Sequence, residues 1–219
     1  MRTSPYNRHS LHLKSYLGRL HALLDRLPLK AVEQLIDLLV AANAEGRTIF
    51  IFGNGGSAAT ASHFACDLAK SAMSPGVPRF RAMALTDNVP LITAWANDAT
   101  YDRIFVEQLD ALVKRGDVVI GISGSGNSKN VLHAIRLANE RGATTVGMCG
   151  FDGGQLKDLV ALSVHVPHFN MEQVEDAHLI VQHMVCAILR AELRAQAGVQ
   201  TEQLMTYPQL ADVSAWMGM

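Results

Sequence analysis

Two short stretches carry residue types suited to holding an anion. They are Gly53-Asn54-Gly55-Gly56-Ser57 and Ser123-Gly124-Ser125-Gly126-Asn127-Ser128. Glycine lets the backbone turn tightly and brings amide N–H groups close to a ligand. The hydroxyls of Ser57, Ser123, Ser125 and Ser128 add further donors. Each stretch leads into a helical pattern, whose N-terminus supplies free N–H groups and a partial positive charge. Glycine and serine also build ordinary strand-to-helix turns and N-caps, so one such loop by itself decides nothing. Two in corresponding positions, the second dense in serine, point to a phosphorylated ligand. Neither is a nucleotide fingerprint. No lysine follows the glycines, and the residue three after Gly56 is Ala59, so both the Walker and the dinucleotide patterns fail. With no Lys or Arg in either loop, the expected ligand is a small phosphomonoester held by hydroxyls and amides, without a nucleotide cofactor.

The elements that must position these loops follow from the hydrophobic pattern. Thr48–Phe52 and Asp117–Ile122, immediately before the loops, are apolar runs without polar alternation, as in strands buried on both faces of a parallel sheet. Arg81–Leu85, Thr144–Met148 and Leu162–Val166 are expected as further strands. Apolar residues at helical spacing predict helices over Ser10–Leu27, Leu29–Ala44, Ser128–Glu140 and Met171–Ala195, with another placing His63 and Asp67 one turn apart. Trp95 falls in an apolar helix that ends at Asn97-Asp98, a pair that reads equally as a cap. Strands alternating with helices imply an α/β fold, a doubly wound parallel sheet flanked by helices, preceded by an N-terminal helical pair. Each loop then lies at the carboxyl end of its strand, where open sheets bind ligands. No linker or repeat divides the chain. It is expected as one domain, with a core over about 35–190, helices over 1–34 and an unassigned tail over 197–219.

Composition excludes other classes. The 219 residues carry 19 basic and 20 acidic side chains, a net charge of -1, which argues against a nucleic-acid partner or a polybasic membrane anchor. No apolar run is long enough to span a membrane, and residues 1–12 contain no signal-peptide core. Cys66, Cys149 and Cys186 are widely spaced and have no C-x-x-C pairing, as in small core residues of a reducing compartment. The chain reads as cytoplasmic.

The loops resemble those of the sugar isomerase (SIS) domain family, and the resemblance extends from about residue 35 to 190. Its further pieces are His63-Phe64-Ala65 with Asp67, Asn97-Asp98, Asp152-Gly153-Gly154, Val166-Pro167-His168-Phe169, and Val174-Glu175-Asp176-Ala177-His178 followed by His183. Within the family the chain is most similar to the phosphoheptose isomerase branch. That resemblance implies aldose–ketose isomerisation of sedoheptulose 7-phosphate to glycero-manno-heptose 7-phosphate through an enediol. It also implies substrate contacts at Asn54, Gly55, Gly56, Ser57, Asp67, Asn97, Asp98, Ser123, Gly124, Ser125, Ser128 and Glu175, with Asp67 and His183 as the proton-transfer pair. A zinc ion on His63, Asp67, Glu175 and His183 is a further implication, as is a homotetramer with sites at subunit boundaries. Three positions depart from the family pattern: Asp67 replaces a glutamate, Glu175 a glutamine and Gly124 a threonine. Glu175 and His183 are eight residues apart, about 12 Å along a helix, so sharing one ion requires their side chains to lean together. Two other readings remain. One is an isomerase of a different sugar phosphate. The other is a non-catalytic SIS adaptor of the replication-initiator-associating type, which the run Leu85-Thr86-Asp87-Asn88-Val89 resembles.

Overall fold

A computed structural model describes residues 5–74 and 76–198; the unassigned tail falls outside these residues from position 199 onward. Five strands form one parallel sheet: β1 Thr48–Gly53, β2 Arg81–Ala84, β3 Val118–Ser123, β4 Thr144–Cys149 and β5 Leu162–His165. Their spatial order is β2-β1-β3-β4-β5, with every pairing parallel. The five expected strands are all present, each within a residue or two of its expected limits.

The strands lack polar alternation because both faces are covered. Ile49 and Ile51 of β1, with Val118, Ile120 and Ile122 of β3, belong to one buried cluster. It packs under α2 (Leu29–Ala44), α3 (Gly56–Cys66) and α8 (Met171–Gln196). Phe50, Phe52 and Val119 face the other way. They meet α5 (Val106–Asp110), α6 (Lys129–Glu140) and α7 (Gly154–Leu159). This is the doubly wound arrangement expected from the sequence. α4 (Val89–Asp98) buries none of its residues fully, and Trp95 is only partly covered.

The first helix, α1, spans Pro5–Leu24, ending before the expected Leu27 as the chain turns toward Pro28. Polar contacts tie it to the start of α8. The Tyr16 hydroxyl donates to Asp176 at 2.5 Å, and Gln173 donates its side-chain N–H to the Tyr16 carbonyl at 2.8 Å. The bond to Asp176 pushes the Tyr16 phenol up to about 12.

The strand order decides where a ligand sits. From β1 the chain moves first to β2 on one side and later to β3 on the other, so the crossovers diverge between β1 and β3. That divergence opens a crevice at the carboxyl ends of those two strands. The loops that leave these two ends are the two glycine–serine stretches.

Candidate active site

The first loop turns on Gly55, whose φ of 55° lies in the left-handed region, and delivers Gly56 and Ser57 as the opening residues of α3. The second loop leaves β3 at Ser123 and enters α6 with Ser128 at its N-cap. Ser123 donates to the Ser128 hydroxyl at 3.0 Å, so the two hydroxyls are held together at the loop's mouth. Asp152-Gly153-Gly154 buttresses it from behind. Gly150 N–H donates to the Gly124 carbonyl at 2.9 Å, and Leu156 N–H donates to the Gly126 carbonyl at 3.0 Å. The approach is so close that a Cβ on Gly126 would lie 1.9 Å from the Gly153 oxygen.

Together the loops enclose a cavity of about 250 Å³ lined by Asn54, Gly55, Gly56, Ser57, Ser123, Gly124, Ser125, Ser128, Met171 and Glu175. Larger hollows of about 570 and 620 Å³ lie elsewhere, against the edge strand β2. Donor chemistry rather than size marks the smaller one as the anion cradle: it combines both loops, three serine hydroxyls of the second loop and the α3 N-terminus. Asn54 is fixed by a reciprocal amide pair with Asn130, each donating to the other at 2.9 Å, and its carbonyl also accepts from the Tyr101 hydroxyl at 3.0 Å. Neither Asn130 nor Tyr101 was singled out in the sequence. The available signal for Asn130 was its place in the first turn after the serine loop, where a buried amide is unusual.

The second group lies at the other end of α3. His63 Nε2 is 3.5 Å from Asp67 Oδ2, His183 Nε2 is 3.9 Å from the same oxygen, and the two imidazole nitrogens approach to 3.5 Å. The rings meet edge to face. Asp67 opens a π-helical turn, Asp67–Ser71, that continues α3; the single helix expected through His63 and Asp67 therefore widens at Asp67, although the two side chains still share a face. Both histidine rings are about half exposed, whereas the carboxylate is largely covered.

The structure separates two residues that the resemblance groups. α8 runs alongside α3 in the same direction: Glu175 lies against Gly56, and His183 lies against His63. Glu175 is therefore at the cradle, not with the histidines. The 12 Å helical separation is kept rather than bridged, and this overturns its expected place as a fourth ligand beside His63, Asp67 and His183. A Cβ on Gly56 would fall 2.4 Å from the Glu175 carboxylate, and one on Gly124 would fall 2.4 Å from the Met171 sulfur. The missing side chain at 124 is thus matched by Met171, which fills its space. Asn97 and Asp98 do not line the cavity; they end α4 at the surface, where Asn97 donates to Asp98 at 2.8 Å.

His63, Asp67 and His183 form the group of metal-ligating type found among the described residues, with one donor atom from each within 4.8 Å of the others. A tetrahedral zinc with bonds of ~2.0–2.2 Å holds its ligand atoms about 3.3–3.6 Å apart. Two of the observed distances, both 3.5 Å, match one face of such a site and the third, 3.9 Å, exceeds it by about 0.3 Å; two imidazoles with a carboxylate suit zinc.

The profile of the SIS domain matches residues 15–150. The chain belongs to the SIS domain family. The phosphoheptose isomerase of Geobacter metallireducens is 43% identical over 163 residues, covering 71% of this chain and 82% of that protein. That of Geobacter sulfurreducens is 40% identical, covering 74% of this chain and 85% of its own length. The solved structure of a phosphoheptose isomerase from Neisseria gonorrhoeae superposes with a TM-score of 0.77 at 29% identity, covering 86% of this chain and all of that one. Both glycine–serine loops and the helical stretch that carries His63 and Asp67 lie within residues 15–150, whereas His183 on α8 lies beyond them.

Proposed function

We propose that this SIS domain protein isomerises sedoheptulose 7-phosphate to glycero-manno-heptose 7-phosphate, with the phosphate in the two-loop cradle and the reacting carbons at Asp67 and His183. One observation carries the assignment: α3 begins in the cradle and ends at the proton-transfer group. Ser57 and His63 are separated by about 9 Å along the helix axis, and Ser57 and Asp67 by about 15 Å. A triose phosphate is too short even for the first span, which an extended seven-carbon chain with its phosphate matches, and the Asp67 side chain, tilted toward the helix N-terminus, shortens the second. The names of the relatives support the same substrate. A non-catalytic adaptor has no use for an acid and two imidazoles converging within 3.9 Å.

Ser123, Ser125, Ser128, Ser57 and the amides of Gly55 and Gly56 hold the phosphate by hydrogen bonds, with the positive end of α3 behind them. Asn54, held by Asn130, and Glu175 address hydroxyls next to the phosphate. Asp67 removes a proton from C1 of the ketose and returns it to C2. His183 moves a proton between the two oxygens, a transfer suited to an imidazole near neutral pH. Where zinc is present, His63, Asp67 and His183 would hold it, with His183 Nε2 committed to the ion rather than to proton transfer. When bound, that ion would offset the negative charge that develops on the enediol oxygens. Asn97 and Asp98 remain substrate residues in this reading only if a neighbouring subunit brings another site to them.

We further propose a single-domain, cytoplasmic homotetramer. Leu11, Leu13 and Leu17 of α1, each more than 60% exposed, and the unburied α4 support association. The free thiols suit a reducing compartment, and no described helix is long and apolar enough to cross a membrane. The deciding experiment is turnover of sedoheptulose 7-phosphate followed by NMR, with and without chelator. Aldose should form, and Asp67→Ala and His183→Ala should each abolish it while the assembly persists. Full activity in both variants would overturn the mechanism, and no product from the parent would overturn the substrate.

A further inference from the structure

Gln182 is fully buried in the face of α8 formed by Val174, Ala177, Val181, Val185 and Leu189. One turn to either side along the buried face stand His178 and Cys186, and a buried amide is costly unless its polar atoms find partners. One end of this amide has none: the Gln182 carbonyl oxygen is buried without a hydrogen bond. The other end donates to Asp67 Oδ2 at 2.7 Å. An ionised carboxylate only accepts hydrogen bonds, so the amide must present its NH₂ to Asp67. The reverse orientation would set oxygen against oxygen.

The oxygen that Gln182 grips is the one facing both imidazoles. The second oxygen, Oδ1, accepts from the Ser71 hydroxyl at 3.0 Å. Ser71 closes the π-helical turn that Asp67 opens, and its carbonyl accepts from Arg190 of α8 at 2.5 Å. α8 therefore holds this turn at both ends, through Gln182 on the side chain of its first residue and Arg190 on the backbone of its last. π-Helical turns recur at functional sites, and here the turn places a hydroxyl donor on the far side of the acid.

We propose that Gln182 is a positioning residue, which together with Ser71 aims the Asp67 carboxylate at His63 and His183. The proposal rests on the isomerase reading of Asp67, but the geometry it asserts is measurable without turnover. Asp67 has a short side chain with two torsions. A donor on each oxygen fixes both, and misplacement of a reacting group by 1 Å is enough to cost about 10²-fold in rate.

The test compares Gln182→Met and Ser71→Ala with the parent. Gln182→Met retains the packing volume and loses the donor; Ser71→Ala alters less of the core and serves if the first variant does not fold. With sedoheptulose 7-phosphate, kcat of Gln182→Met should fall roughly 10–100-fold, the usual cost of removing such a partner. KM should stay within about twofold, because the phosphate cradle is untouched. Ser71→Ala should shift kcat in the same direction by a smaller factor. Zinc affinity, measured by competition with a chromophoric chelator, should fall about tenfold in Gln182→Met, and that loss should vanish in an Asp67→Ala background. A crystal structure of Gln182→Met should show the carboxylate rotated away from the imidazoles. The proposal is overturned by an unmoved carboxylate in that structure, by parental kcat and zinc affinity, or by a zinc defect that persists without Asp67. If the parent itself turns over no heptose phosphate, the isomerase reading fails and the crystal structure alone decides the role of Gln182.

Discussion

Replacing Gly126 by alanine tests whether the cradle depends on the loop behind it. Gly126 has a φ of 66°, and an added Cβ would sit 1.9 Å from the Gly153 carbonyl oxygen and 2.5 Å from its carbon. Both obstacles are backbone, so no side-chain rotation relieves them; the two loops must part by about 1.5 Å to reach an ordinary contact. The left-handed conformation costs a non-glycine residue about 1–2 kcal/mol. Parting the loops also breaks Leu156 N–H to the Gly126 carbonyl and Gln155 N–H to Asn127 Oδ1, at about 1 kcal/mol each. The total is about 3–4 kcal/mol, which lowers Tm by roughly 6–16 °C for a chain of this size. Ser125 moves with the loop, so KM for the phosphosugar should rise while the carboxylate–imidazole group is unaffected. Differential scanning calorimetry and steady-state kinetics measure the two effects. Gly126→Asn separates the causes, because asparagine tolerates the left-handed region but carries the same Cβ. If Gly126→Ala keeps its Tm within 2 °C and its KM unchanged, the interlocked loops are not what shapes the cradle.

Asn130→Ala removes the partner that holds Asn54; it should raise KM several-fold and cost about 1–3 kcal/mol from the unpaired amide left behind, read by kinetics and denaturant unfolding. Gly124→Thr should clash with the Met171 sulfur and weaken substrate binding, and a paired Met171→Ala should recover it; weakening that persists in the pair would assign the defect to the loop backbone. His178 is buried with neither ring nitrogen hydrogen-bonded, and burial pushes its pKa down to about 4. Its neutral form is favoured in the folded state, so its share of stability is present above about 6.5 and lost as pH falls toward 4. The slope approaches ~1.4 kcal/mol per pH unit. Urea unfolding at pH 7 and pH 5 should show this loss, and His178→Leu should flatten it.

The cradle is legible in the sequence because its parts are local. A strand, a glycine turn and a helix start are adjacent in sequence, and each is dictated by short-range rules of backbone conformation and hydrophobic period. The all-apolar runs around Phe50 and Val119 announced strands covered on both faces, and the two loops after them announced where a ligand would lie. Glu175 shows the limit. Its sequence neighbours place it on the same helix as His183, but only the course of α8 beside α3 puts it at the cradle and His183 at the other end.

The sequence by itself determined the α/β order, the two loops and the residue types available for proton transfer, since all of these follow from spacing along one chain. The tertiary structure decided which of them meet. Asp67 and His183 are more than a hundred residues apart and come within 3.9 Å because α3 and α8 pack side by side on one face of the sheet. Gln182, a buried polar residue of α8, gains its partner only through that packing. Helical and strand periods are set by contacts between near neighbours. The pairing of two faces is set by which arrangement buries most hydrocarbon while leaving fewest polar atoms unpaired, and that is a property of the whole fold.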